Sequence, residues 1–172
     1  NETVIFGGVL YWGFGDPLIQ GMTRLWYWAD HLDTPYKIVF LNIPLYGGFK
    51  AYSILEAMGL TPDRYEIVTE PTQFNKIIVP DESMFYWAGF HPDAKKIYDL
   101  MVSRVIPGKD KKVYLSRTKF SKQDGVNEEY FEDFYRRRGF RIVYPEQLPL
   151  TEQISILAGA EEVVCTRGTL SL

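Results

Sequence analysis

Histidine and cysteine are scarce in this 172-residue chain, which has two of the first and one of the second. A lone thiol cannot close an intramolecular disulfide. Cys165 lies in the apolar run Glu162-Val163-Val164-Cys165, where it reads as a small buried hydrophobe suited to a reducing compartment. No His/Cys/carboxylate cluster has metal-ligand spacing and no Asp-x-Asp pair occurs, so the expected metal ligands are none. Neither G-x-G-x-x-G after a strand nor G-x-x-x-x-G-K-[ST] is present, which removes the fingerprints of nicotinamide and P-loop nucleotide sites. Excess positive charge is missing too. At a net charge of −3 the chain has no whole-protein field to gather nucleic acid or anionic lipid. No apolar run approaches the roughly 18 residues of a membrane helix and no leader pattern opens the sequence. The expectation is a soluble segment with no membrane span, in the cytoplasm or at the inner face of a membrane rather than in a lumen.

What the chain does have is aromatic rings: 12 Tyr, 11 Phe and 4 Trp in an otherwise ordinary globular composition. Its hydrophobic periodicity alternates between strand and helix. Val4 to Tyr11 and Lys37 to Leu41 read as strands, and Tyr65 to Val68 and Lys76 to Val79 as two more. Asp16 before Pro17 is the pattern of an N-cap and first helical residue, and Leu18, Met22, Leu25, Trp26 and Ala29 predict a helix to about His31. Ala51, Ile54, Leu55 and Met58 predict a second helix stopped by Gly59, and a third runs from Pro92 to about Val105. The polar stretch Gly108-Lys109-Asp110-Lys111-Lys112 predicts a flexible boundary between residues 1–107 and 108–172.

Beyond it the order is strand Val113 to Ser116, helix Glu128 to Arg138, strand Arg141 to Tyr144, helix Glu152 to Ala158 and strand Glu162 to Thr166. This is half of a doubly wound α/β sheet. A further helix normally follows such a strand, so the expectation is a C-terminal domain that continues past Leu172.

Ligands of open α/β sheets bind beyond the carboxyl ends of strands. One such end is Arg117-Thr118-Lys119-Phe120-Ser121-Lys122, with three cations and two hydroxyls able to grip a diphosphate; a solvated basic loop is the plain alternative. The other is Arg167-Gly168-Thr169, where glycine permits close backbone approach to a ligand. Asn127 and Glu128 read as a helix cap and first turn as readily as ligands. Glu146, after Pro145, has the position of a ribose-binding carboxylate or of a solvated one. His91, in Trp87-Ala88-Gly89-Phe90-His91-Pro92, belongs to an aromatic loop that either packs or meets a sugar face.

Taken together, Lys112-Val113-Tyr114-Leu115-Ser116-Arg117, Val126-Asn127-Glu128, Gly139-Phe140-Arg141-Ile142-Val143, Pro145-Glu146, Leu150-Thr151-Glu152-Gln153-Ile154, Ala160 and Gly168 resemble the catalytic domain of family 61 glycosyltransferases, which include capsular-polysaccharide, xylan and O-mannose-glycan transferases. Gly13-Phe14-Gly15-Asp16 followed by Arg24-Leu25-Trp26 is similar to that family's F-G-H segment, with Asp16 in place of the usual histidine. The resemblance implies a GT-B-like pair of Rossmann-type domains, acceptor-side at residues 1–107 and donor-binding at 108–172. It implies an inverting, metal-independent transfer with no cofactor, from a nucleotide-diphosphate sugar to a hydroxyl of a glycan or polysaccharide acceptor. By position it makes Asp16 the candidate base. The candidate donor residues are Arg117, Lys119, Lys122, Asn127, Glu128, Glu146, Glu152, Gln153 and Gly168. A noncatalytic binding module that kept the fold and lost its base is the alternative, fed by the departure at Asp16.

Overall fold

The structure, a computed structural model, describes residues 2–10, 15–42, 51–85, 89–120 and 127–166. The chain divides into two compact units, Asn1–Arg104 and Val105–Leu172.

In the first unit β1 (Thr3–Leu10), β2 (Lys37–Asn42), β3 (Tyr65–Val68) and β4 (Lys76–Ile78) form a parallel sheet in the order β3-β2-β1-β4. Parallel strands are covered on both faces and therefore read as continuous apolar runs. Accordingly Val4, Ile5, Ile38 and Phe40 are wholly buried, and α2 (Ala51–Ala57) adds Ala51, Ile54 and Leu55. β1 carries a bulge: Phe6 pairs with Val39 and Gly8 with Phe40, leaving Gly7 as the extra residue. A Cβ on Gly7 would stand 2.5 Å from the Phe40 ring, so the close approach of β1 to β2 requires glycine. α3 (Ala94–Ser103) buries Ala94, Ile97 and Met101.

Two features differ from the periodicity. The stretch expected to be one helix from Asp16 is a π-helical turn, Pro17–Gly21, followed after further turns by the single-turn α1 (Trp26–Ala29). Thr23 contributes to the break, because its hydroxyl donates to the Gln20 carbonyl at 3.1 Å and so competes with helix continuation. Nor does Asp16 cap anything. An N-cap needs extended backbone to aim its side chain at the first amides, whereas Asp16 has φ −60°, ψ −42° and makes no capping bond. The second difference is an antiparallel hairpin, β5 (Met84–Phe85) with β6 (Gly89–Phe90), too short to show as a periodic run.

In the second unit β7 (Lys112–Leu115), β8 (Arg141–Val143) and β9 (Glu162–Cys165) form a parallel sheet in the order β8-β7-β9, with α4 (Glu128–Arg136) and α5 (Leu150–Gly159) as the connections. Val113 and Leu115 of β7 pack with Val143 and Ile156, and Leu148, Ala160 and Cys165 lie against them. Cys165, expected to be buried, is half-buried against this core, and burial pushes its thiol pKa up. The chain is accordingly a mixed α/β protein built on parallel sheets. Among the described residues no helix is long and apolar enough to cross a membrane.

The segment entering β7 packs closely on α5. The Gly108 amide donates to the Ser155 carbonyl at 2.7 Å, and a Cβ on Gly159 would lie 1.9 Å from the Gly108 oxygen. Because the clash is with backbone rather than a yielding side chain, Gly159→Ala is expected to destabilise this unit by about 1–3 kcal/mol. Urea denaturation of the variant against wild type checks this.

Candidate functional site

Strand order locates the two crevices of the molecule. In the first unit the chain steps from β1 out to β2 and β3, then returns to place β4 on the other side of β1. In the second it steps from β7 to β8 and returns to place β9 on the other side of β7. At each reversal the connections leave toward opposite faces, opening a crevice at the strands' carboxyl ends. Arg117 and Lys119 follow directly on β7 at the second of these points.

The loop that carries them starts from a buried polar network. Successive residues of a strand alternate between faces, so Val113 and Leu115 enter the apolar core while Tyr114 and Ser116 turn the other way. Two strand residues advance about 6.6 Å and four helical residues about 6 Å, so a helix alongside β7 can match its repeat. Here the matching residues of α4 are acids. Glu128 and Glu132 are only 4% and 7% exposed. The Tyr114 hydroxyl donates to Glu128 at 2.8 Å, and the Arg117 amide approaches the same oxygen at 3.4 Å. Glu132 accepts from Ser116 at 2.7 Å, Thr118 at 2.5 Å and Tyr144 at 3.1 Å, with Arg136 at 3.5 Å.

Burial alone would raise the Glu132 pKa, but hydrogen bonds from Ser116, Thr118 and Tyr144 and the charge of Arg136 bring it below the ordinary value. It is therefore a buried carboxylate ion. Tyr114 moves upward, first through burial and then through its bond to Glu128, and Tyr144 moves the same way through burial and Glu132. Tyr114 also stacks on Tyr135, with centroids 4.7 Å apart.

Above this network stand the candidate ligands. Arg117 lies over the Phe120 ring at 5.3 Å and Lys119 over the Tyr144 ring at 5.8 Å, and among the described residues neither cation pairs with a carboxylate. Glu146 is exposed on the 3-10 turn Pro145–Gln147 that follows β8. Gln153 uses its amide hydrogens on that turn, donating to the Pro145 and Leu148 carbonyls at 2.8 and 3.0 Å, so it holds the segment bearing Glu146. Glu152 is exposed in the first turn of α5. Asn127 is no side-chain cap: it sits in the left-handed region at φ 66° and makes no capping bond, and only its carbonyl serves α4, accepting from Tyr130. Glu128, read as a helix-end residue or ligand, is occupied internally by Tyr114. Lys122 and Gly168 lie outside the described residues, as do Gly13 and Phe14. Asp16 is exposed, with its carboxylate uncommitted to any cap.

Sequence reasoning passed over Glu132, Ser116 and Tyr144, and it offered the Thr118 hydroxyl to a diphosphate, whereas that hydroxyl donates to Glu132. A signal was available: hydroxyls recur every second residue at Tyr114, Ser116 and Thr118, and acids every fourth at Glu128 and Glu132. It was hidden because α4 turns Tyr130 and Phe131 outward and Glu128 and Glu132 inward, while Glu129 and Asp133 stay exposed. Among the described residues no group of three or more His, Cys, Asp or Glu is gathered as a metal site.

The parallel sheets define an α/β protein, with Arg117 and Lys119 meeting no carboxylate among the described residues at the switch point of the second unit. The family model for glycosyltransferase 61 matches residues 14–170, and the chain belongs to that family. It is a glycosyltransferase, with a sugar donor and an acceptor as its substrates. No curated protein and no solved structure matches the chain.

The Glu132 pKa carries a sign for stability. A depressed folded-state pKa gives stabilisation that is complete above the unfolded carboxyl value and is lost as pH falls through the folded one. Glu132→Gln should cost about 1.5–3 kcal/mol near neutral pH, with the gap to wild type closing as the solution is acidified. Denaturant titrations across the acid range check this; a gap that stays constant would mean that the ion is not what stabilises the network.

Proposed function

We infer that this glycosyltransferase moves a sugar from a nucleotide-diphosphate donor to a hydroxyl of a glycan acceptor, with inversion and without a metal. The observation that carries the reading is that Arg117 and Lys119, on a loop anchored through Thr118 at a topological switch point, pair with no carboxylate among the described residues. Fixed cations of this kind suit the charge that develops on a leaving diphosphate. The two separate parallel sheets support a GT-B-like pair of Rossmann-type domains, the first acceptor-side and the second donor-binding.

In the step itself, the acceptor oxygen bonds to the anomeric carbon on the face opposite the leaving group. The bond from that carbon to the diphosphate oxygen breaks, and its electron pair stays on the oxygen, whose charge Arg117 and Lys119 neutralise. The hydroxyl proton passes to a carboxylate, for which Asp16 is the proposed base. Its freedom from capping favours this role. Glu146, held by the turn that Gln153 braces, is the proposed ribose contact.

Three outcomes test the reading. Arg117→Ala should weaken binding of nucleoside diphosphates by about 1.5–3 kcal/mol with circular dichroism unchanged; calorimetry with wild-type affinity would remove Arg117 from the donor site. Asp16→Asn, which preserves shape but takes no proton, should lower turnover by about 10²- to 10⁴-fold while donor affinity holds. Wild-type turnover in that variant would exclude Asp16 as base. Transfer should also survive excess chelator, and a loss that magnesium or manganese restores would overturn the metal-free mechanism.

A further inference from the structure

A second built feature lies wholly within the first unit, at its own switch point. It is an open depression of about 690 Å³ lined by the segments that follow β1 and β4, with Arg24 and Trp26 from one, Glu82 and Phe85 from the other, and His91 and Asp93 beyond the hairpin.

Its walls are tied together by backbone. The Ser83 amide and hydroxyl both donate to the Thr23 carbonyl, at 2.9 and 2.7 Å, and the His91 amide donates to the Ser83 carbonyl at 2.8 Å. Arg24 donates to the Pro80 carbonyl and to Glu82, and the Trp26 indole donates to the Asp81 carbonyl at 2.8 Å. The side chains left facing the space are thereby set in place in advance, which lowers the ordering cost of binding.

Three observations describe what would fit. Phe85 is 56% exposed, and its cross-strand partner in the hairpin is Gly89, which has no side chain to cover the ring. An exposed aromatic ring in a fixed depression offers a flat apolar face. Second, His91 Nδ1 lies 3.0 Å from the Asp93 carboxylate and 3.3 Å from the Asp93 amide, contacts that call for opposite states of that nitrogen. The shorter contact decides: the carboxylate only accepts, so Nδ1 donates, and in the neutral ring Nε2 is left as a hydrogen-bond acceptor. Asp93 is itself kept anionic, chiefly by its hydrogen bond from Lys96, whose ammonium is 2.7 Å away. Third, the cations at this lining are already engaged: Arg24 pairs with Glu82 at 2.8 Å and Lys96 with Asp93 at 2.7 Å, while Asp81 has no ion pair among the described residues. Such a surface offers no spare cation to a phosphate or a uronate.

We propose that this depression is the binding site for a neutral pyranose ring of the acceptor, the ring's C–H face resting on Phe85 and its hydroxyls bonding to His91 Nε2 and the carboxylates. The assignment rests on the sugar-transfer reading above and adds to it the place and charge class of the acceptor. It also separates the site from that of the anionic donor, whose proposed contacts lie in the other unit.

The test uses saturation-transfer NMR on the full chain. The probes are methyl pyranosides of glucose, galactose, mannose, xylose and N-acetylglucosamine, with methyl glucuronoside as the anionic control. Calorimetry with uridine and guanosine diphosphates runs in parallel. At least one neutral pyranoside should receive saturation from the wild type, the glucuronoside should not, and the signal should disappear in Phe85→Ala and His91→Ala with circular dichroism unchanged. No signal from any neutral pyranoside, a signal undiminished in Phe85→Ala, or a preference for the glucuronoside would overturn the proposal. Nucleotide binding without pyranoside binding would leave the transferase reading standing and remove this site. Pyranoside binding at Phe85 without nucleotide binding would do the reverse.

Discussion

Two carboxylates buried one helical turn apart set the conditions for the second unit. Taking Glu132 out of water is costly unless its lone pairs are met, and a partly met network is worse than an apolar core. The donors that meet it come from three separate stretches: the end of β7, the loop after it, and the end of β8. Each stretch must therefore reach one point. The departure angle of the β7 loop follows from that requirement, since Thr118 is bound to Glu132 and the Arg117 amide faces Glu128 before the cations emerge. Lys119 then lies over Tyr144, a member of the same network. A cationic loop begun in this way is pre-organised, which is what holding developing negative charge requires.

The apolar side of β7 has a complementary part. Val113 and Leu115 anchor the strand against Ile156, and the contact of Gly108 with Gly159 draws the entering segment onto α5. One strand of four residues thus divides its faces between a dry core and a polar hub. In the first unit glycine does related work at β1, where Gly7 lets the strand bulge against Phe40. The depression beside β4 differs from the β7 loop in charge: its cations are engaged by Glu82 and Asp93, whereas Arg117 and Lys119 meet no carboxylate among the described residues.

Most elements were legible in the amino-acid sequence, because burying a parallel strand or one face of a helix imposes a period that residues cannot hide. β2 and β3 match the strands read from Lys37 and Tyr65, and α2 ends where Gly59 stops it. The family was legible as well, since its short motifs in order are a linear property of the chain and the family match spans them. Arg117 does lie just beyond the end of β7, as the strand read there implied, although position alone does not show whether a cation is paired. Other features depend on residues far apart in sequence. The capping roles of Asp16 and Asn127 failed because a cap is decided by backbone angles, and tertiary packing put one residue in the right-handed and the other in the left-handed helical region. Glu128 and Glu132 of α4 face inward because the hydroxyls of Tyr114, Ser116, Thr118 and Tyr144 meet them there, a pairing absent from the local pattern. His91 gained a partner and a depression only when the hairpin and the Thr23 turn were brought together. The sequence by itself determined the α/β alternation, the family and the identity of the loop cations, all of which depend on local order. Tertiary structure alone decided which carboxylates are buried and where the depression opens, because each is settled by hydrogen bonds between segments that only the fold makes neighbours.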